Sequence, residues 1–162
     1  MNVYVLQVIN GVGIGMLYFL LAVGLSIIFG LLRFVNFAHG AFFLLGAYAC
    51  YQALQSGLDF WVALAVAPLV VGALAWIVER VLLRQIYSVP HEYHILFTLG
   101  LALLIQEGVI LLWGPLGDNV PPPESLQGVV IWGSFIYPKY RLFVIGFTAV
   151  LAVALWWVLE GT

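Results

Sequence analysis

The sequence predicts an all-α integral membrane protein of about five transmembrane helices, and three observations carry that prediction. Hydrophobic residues make up 65% of the chain and charged residues 7%, where a soluble domain carries about 25% charged. Such a chain has too little polar surface to cover a core in water. Residues 1–32 contain no charged side chain, and that run exceeds the roughly 20 apolar residues that cross a hydrocarbon core. The long apolar runs also lack the alternation of a β-barrel strand. In lipid the backbone must satisfy itself, which leaves helices.

The first span runs from about residue 3 to 32. Its N-terminus has neither the basic region nor the cleavage site of a signal peptide, so it is read as a retained span. Gly11 and Gly15, with Gly13 between them, suit close helix packing. The second span runs from about 34 to 54, and Gln55-Ser56-Gly57-Leu58-Asp59 closes it as a short loop. The third runs from about 60 to 78 and ends in Glu79-Arg80. A polar stretch from Arg84 to Glu92 separates it from the fourth, at about 93–113.

A long extramembrane loop follows, at about 114–140. Pro121-Pro122-Pro123 holds its middle extended. Val129–Trp132 and Phe135–Tyr137 flank Gly133-Ser134 in the pattern of a small hairpin. Trp113, Trp132, Tyr137 and Tyr140 suit an aromatic belt at the membrane interface. A loop of this length in a compact bundle is often functional. The fifth span covers about 142–160. Five crossings leave the two ends of the bundle on opposite sides, and the expectation is part of a longer protein. With the N-terminus outside, the inner side holds Arg33, Arg80 and Arg84 and the outer side Lys139 and Arg141. The positive-inside tendency therefore favours N-out by one residue.

Several chemistries find no support. The net charge of −2 and the scattered basic residues give no nucleic-acid footprint. The single cysteine, Cys50, excludes an intrachain disulfide and reads as a small packing residue. No serine sits in a G-x-S-x-G context, and no Walker A loop is present, so the chain is not read as an ATPase itself. In His91-Glu92-Tyr93-His94 the histidines are three apart rather than the four of the H-E-x-x-H zinc motif, so a membrane-embedded metalloenzyme built on His91, Glu92 and His94 is kept only as a rival reading.

The most informative segment is Arg33-Phe34-Val35-Asn36-Phe37-Ala38-His39-Gly40, which sets polar groups between two apolar runs. Such groups in a membrane have a partner or a function. On a helix, His39 and Gly40 follow Asn36 by three and four positions, Phe43 by seven and Ala47 by eleven, so one face carries two hydrogen-bonding side chains and room beside them. Two readings stay open: Asn36 caps the second helix and His39 bonds a neighbouring carbonyl, or the face lines a solute path. Glu107, beside Gln106 in the fourth span, is a gating group or a helix-pairing hydrogen bond. Glu79, Arg80 and Arg84 form an interfacial collar or a docking surface for a cytoplasmic partner.

The stretch from Gly24 to Tyr48, with Asn36-Phe37-Ala38-His39-Gly40 at its centre and Gly46-Ala47-Tyr48 at its end, resembles the signature of branched-chain amino-acid ABC transporter permeases of the LivH type. Glu79-Arg80-Val81-Leu82-Leu83-Arg84 resembles the family's E-R-x-x-x-R turn, although Gln85 stands where the family often has proline. Thr98-Leu99-Gly100-Leu101 and Leu112-Trp113-Gly114-Pro115 resemble its next helix and outer edge. The resemblance covers about the N-terminal half of such an importer permease. It implies a second permease subunit, two cytoplasmic ATP-binding subunits, a periplasmic solute-binding protein and a multi-pass position in the bacterial inner membrane. It implies no covalent chemistry, no cofactor and no metal in this chain. By that resemblance Asn36, Phe37, His39 and Gly40 are the motif residues, and the 114–140 loop faces the binding protein.

Overall fold

The computed structural model describes residues 3–117, 120–132 and 135–161, with the backbone alone at Val3, Leu32, His91, Trp132 and Phe135. Asp118, Gly133 and Ser134, and the belt side chain Trp132, thus lie outside the described residues. Among the described residues are five long helices: α1 (Val3–Leu32), α2 (Ala38–Gln55), α3 (Phe60–Val78), α5 (His91–Trp113) and α6 (Lys139–Glu160). A π turn (Glu79–Leu83) carries α3 on into a short helical turn, α4 (Arg84–Ile86), and a hairpin of β1 (Val129–Trp132) and β2 (Phe135–Pro138) precedes α6.

The ends of these elements follow from local chemistry. Asp59 caps α3 by accepting from the Trp61 N–H at 2.8 Å. Gly114 ends α5 at φ 90°, a conformation that a Cβ disfavours, while its N–H bonds the Ile110 carbonyl at 2.8 Å. Pro68 stands inside α3, where packed neighbours in a membrane bundle compensate the lost hydrogen bond.

The chain forms two compact units. In the unit of residues 24–120, α2 lies against α3 and α5. Small residues (Ala53 on α2, Ala63 and Ala67 on α3) are buried there, which lets backbones approach closely in lipid. In the unit of residues 1–23 and 121–162, α6 and the hairpin pack with the first part of α1. Gly13 faces Ile145, and the Met16 thioether receives the Thr148 hydroxyl at 3.8 Å.

Among the described residues, four helical segments (Tyr4–Leu31, Phe60–Ile86, Glu92–Trp113 and Lys139–Glu160) are long and apolar enough to cross a membrane. The second helix is less apolar, because Tyr48, Tyr51, Gln52 and Gln55 interrupt it. Its packing nevertheless makes it a crossing. Phe37 meets Thr98, and Gln52 meets Trp113, each pair 61 residues apart. The two helices therefore run parallel in one register along nearly the whole of α2. Independently, α6 runs parallel to α1, since Asn10 meets Arg141 and Met16 meets Thr148. Parallel first and last helices need an odd number of crossings between them; α3 and α5 are long and apolar enough to be two, and α2 then makes the third.

The last helix starts at Lys139, three residues before the expected 142, and the fourth span's helix at His91 rather than 93. Two boundaries differ more in kind from the sequence expectation. The second helix starts at Ala38 rather than Phe34, because residues 34–37 form a turn. The third span does not stop at Glu79; the π turn prolongs it to Ile86. In each unit many large apolar side chains are exposed, Leu111 in one and Trp157 in the other among them. In water that surface drives aggregation; in lipid it is solvated. The fold is that of an all-α multi-pass membrane protein.

Candidate functional site

The connection between α1 and α2 is a rigid knot. The first helix closes when the Arg33 N–H bonds the Phe29 carbonyl at 2.8 Å, with Arg33 at φ 59°. This left-handed terminator is ordinarily glycine. It turns the chain so that Phe34 drops inward, 2% exposed. The Phe34 ring stacks on the His94 imidazole (centroids 4.5 Å apart, 13° between planes) and meets Tyr87 at 6.4 Å. His94 Nε2 lies 2.6 Å from the Ile86 carbonyl. A carbonyl only accepts, so Nε2 carries the proton.

Asn36 starts the next helix. Its Oδ1 accepts from the Ala38 N–H at 3.0 Å, an Asx turn, and its carbonyl accepts from the His39 N–H at 3.2 Å. The Phe37 N–H, which has no partner in the first turn of a helix, reaches the Thr98 hydroxyl at 3.3 Å; that hydroxyl in turn donates to the His94 carbonyl at 2.9 Å. Thr98→Val keeps the shape and removes the acceptor. We expect it to cost about 1–3 kcal/mol, the scale of an orphaned buried amide, read as a lower midpoint of thermal unfolding in detergent.

The motif side chains therefore divide. Asn36 is buried in a local structural role. The Phe37 ring is exposed, and Gly40 is exposed with open space where a Cβ would stand. His39 is half-buried, its Nε2–Cε1 edge against Gly24 of α1: a Cβ on Gly24 would come within 2.8 Å of Nε2. Phe43 and Ala47 continue an exposed face along α2 from Gly40. This knot fixes the backbone and leaves a face of small, aromatic and imidazole groups uncovered.

The Glu79–Arg84 segment shapes the same end of this unit. The Arg84 N–H reaches the Glu79 carbonyl five residues back, which defines the π turn, and Leu83 is buried by it. The Tyr87 hydroxyl donates to the Glu79 carboxylate at 3.1 Å. Tyr87 lies beyond the end of the span. Burial foremost, then the Glu79 carboxylate, pushes its phenol above the ordinary value against the pull of Arg84, so it remains a neutral donor. Arg80 and Arg84 are exposed, with the Arg80 guanidinium 5.3 Å from the Trp76 ring centre. Arg33, Arg80 and Arg84 thus share one end of the 24–120 unit, because Phe34 and Tyr87 touch. Glu107 is exposed on α5, about 13 Å beyond Thr98 at 1.5 Å per residue, away from the knot.

Residues 7–162 match the family described as branched-chain amino acid transport system, permease component. The chain belongs to this family. Among relatives of that family, it is 26% identical over 170 residues to the high-affinity branched-chain amino acid transport system permease protein BraD of Pseudomonas aeruginosa, covering 94% of this chain and 54% of the relative. It is 28% identical over 137 residues to the corresponding permease protein LivH of Salmonella typhimurium, covering 79% of this chain and 44% of the relative. The LivH protein of Escherichia coli K12 is 28% identical over 133 residues, covering 76% and 43%. The chain spans about half the length of the curated relatives it matches. No solved structure matches it.

In this family member the sequence reading gave Phe34, His94 and Thr98 no part in holding the α1–α2 connection, although they pack and hydrogen-bond there. His94 had been weighed only as a metal ligand, and its Nε2 is occupied by the Ile86 carbonyl. The available signal was the spacing of His94 and Thr98, one turn apart on a single face of an apolar helix.

Proposed function

We propose that this chain forms the N-terminal part of the membrane-spanning permease subunit of an ATP-driven importer in the bacterial inner membrane, with branched-chain amino acids as the solute. The observation that carries this reading is the family match over residues 7–162, with relatives named as branched-chain amino acid permeases. The chain supplies no covalent chemistry. Separate cytoplasmic subunits bind ATP, a second permease subunit completes the membrane core, and a periplasmic binding protein delivers the solute to the side that the 114–140 connection faces.

Of the motif residues Asn36, Phe37, His39 and Gly40, the last three line the solute path in this proposal, and buried Asn36 holds them in place. The support is the geometry of the knot. Asn36 and the Phe37 amide lock the start of α2, and the uncovered face at Phe37, His39 and Gly40 is then held at fixed positions beside α1 and α5. A path needs polar groups whose position does not drift between states. Arg80 and Arg84, exposed on the π turn with Glu79 tied back to Tyr87, dock the ATP-binding subunits at the cytoplasmic end. Glu107 pairs with a neighbouring helix of the assembly.

The test is uptake and solute-stimulated ATP hydrolysis by the assembled transporter carrying His39→Ala. Uptake should fall roughly ten-fold at unchanged membrane expression, the scale of one lost polar contact at about 1.4 kcal/mol. Undiminished uptake together with undiminished coupled hydrolysis removes His39 from the path. A second solute class, urea or short amides, is separated by the ligand preference of the binding protein.

A further inference from the structure

We infer that the β1–β2 hairpin lies in the headgroup layer of the bilayer, with one face against lipid, and does not stand in the aqueous phase. The inference rests on the membrane-spanning fold and is independent of the solute path.

The register decides which side chains share a face. Val130 opposes Tyr137, while Val129 opposes Pro138 and Ile131 opposes Ile136. Side chains alternate along a strand, so Val130 and Tyr137 stand on one face and the other four on the opposite face. The first face is anchored to the protein. Tyr137 is 7% exposed, and its hydroxyl donates to Asn10 Oδ1 at 2.8 Å. The opposite face is uncovered and wholly apolar, with Ile131 68% and Ile136 52% exposed.

The anchor sets the depth. The apolar segment of α1 runs from Tyr4 to Leu31, 28 residues. Since roughly 20 residues cross the hydrocarbon core, a centred crossing begins about four residues after Tyr4. Asn10 then sits just inside the hydrocarbon edge. A carboxamide there needs donors, and it has two: the Tyr137 hydroxyl and Arg141 Nη1 at 2.6 Å. The hairpin is thus tied down at the level where lipid begins.

Chain continuity gives the same answer. The second strand ends at Pro138 and α6 starts at Lys139, leaving no linker between the hairpin and a spanning helix. Residues 128–141 carry no carboxylate. Lys139 is exposed directly after β2, and Arg141, exposed as well, keeps its other guanidinium donors beyond the Asn10 bond; both suit the phosphates of phospholipid. Apolar residues flanked by exposed cations and Tyr140 form the pattern of an interfacial element.

The experiment uses the full chain with Cys50→Ala and a single cysteine introduced as Ile131→Cys or, in a second variant, Ile136→Cys. Each is labelled with an environment-sensitive fluorophore and reconstituted in phosphatidylcholine–phosphatidylglycerol vesicles. Ser125→Cys, in the exposed part of the connection, is the aqueous control, and Val150→Cys, on the exposed surface of α6, the deep one. Both hairpin labels should be quenched at least twice as strongly by lipid carrying a nitroxide near the headgroup as by lipid carrying it near the acyl terminus. Iodide should reach them far less than it reaches the Ser125 label. Iodide quenching equal to that control overturns the inference, because the hairpin then stands in water. Protection from both quenchers overturns it as well, because protein then covers the face.

Discussion

Replacing Phe34 by alanine will cost about 3 kcal/mol of stability, the largest loss expected from any single truncation in the 24–120 unit. Phe→Ala in a packed interior costs about 3–5 kcal/mol. The lower end applies here, because lipid around the bundle reduces the gain from removing apolar surface from water. What Phe34 supplies is contact: it is 2% exposed, stacked on His94 and within reach of Tyr87. Its removal leaves a cavity between the α1–α2 connection and the start of α5, and the Phe37–Thr98 and His94–Ile86 hydrogen bonds lose the wedge that aligns them. The measurement is thermal unfolding in detergent, with Phe34→Leu as the companion. Leucine fills most of the volume but cannot stack on an imidazole, so it should recover more than half of the loss. An unchanged midpoint for Phe34→Ala refutes the packing argument.

The architecture was legible in the sequence because the bilayer imposes one strong rule. A charge-free run such as residues 3–32 has no alternative in lipid, and the hairpin followed from two runs of β-formers flanking a Gly-Ser pair. What composition did not disclose is the start of the second helix. Hydropathy treats Phe34 as the first residue of a span. The left-handed Arg33 and the Asx turn of Asn36 make it instead the buried plug of a turn. Positive φ at an arginine has no signature in one sequence. The π turn at Glu79–Leu83 was equally hidden, since its Glu-Arg-Val-Leu-Leu sequence is ordinary for a helix.

The motif itself was visible, but its division of labour was not. Asn36 and His39 are three residues apart, and the sequence treats them as one polar face. In the structure Asn36 is buried in backbone hydrogen bonds, whereas His39 meets Gly24. Thr98, from an element 61 residues away, completes the first role, and nothing in the local sequence pairs it with Phe37. Long-range partners of this kind are fixed by packing, which single-sequence periodicity does not encode.

Gly24→Ala will test whether the His39 imidazole and α1 share one tight contact. A Cβ at this position would lie 2.8 Å from His39 Nε2 and 2.9 Å from Cε1, closer than van der Waals contact allows. The imidazole must swing or the helices must part, and overpacking of this kind costs about 1–3 kcal/mol. Shortening the opposing side chain removes the clash. The double variant Gly24→Ala with His39→Ala should therefore be more stable than additivity of the two single variants predicts, by about 0.5–3 kcal/mol. Additive losses in the cycle contradict the contact. Uptake separates packing from transport: with His39 a path residue, the double variant regains stability but transports no better than His39→Ala alone. Parallel recovery of both assigns His39 to helix packing and takes it out of the path.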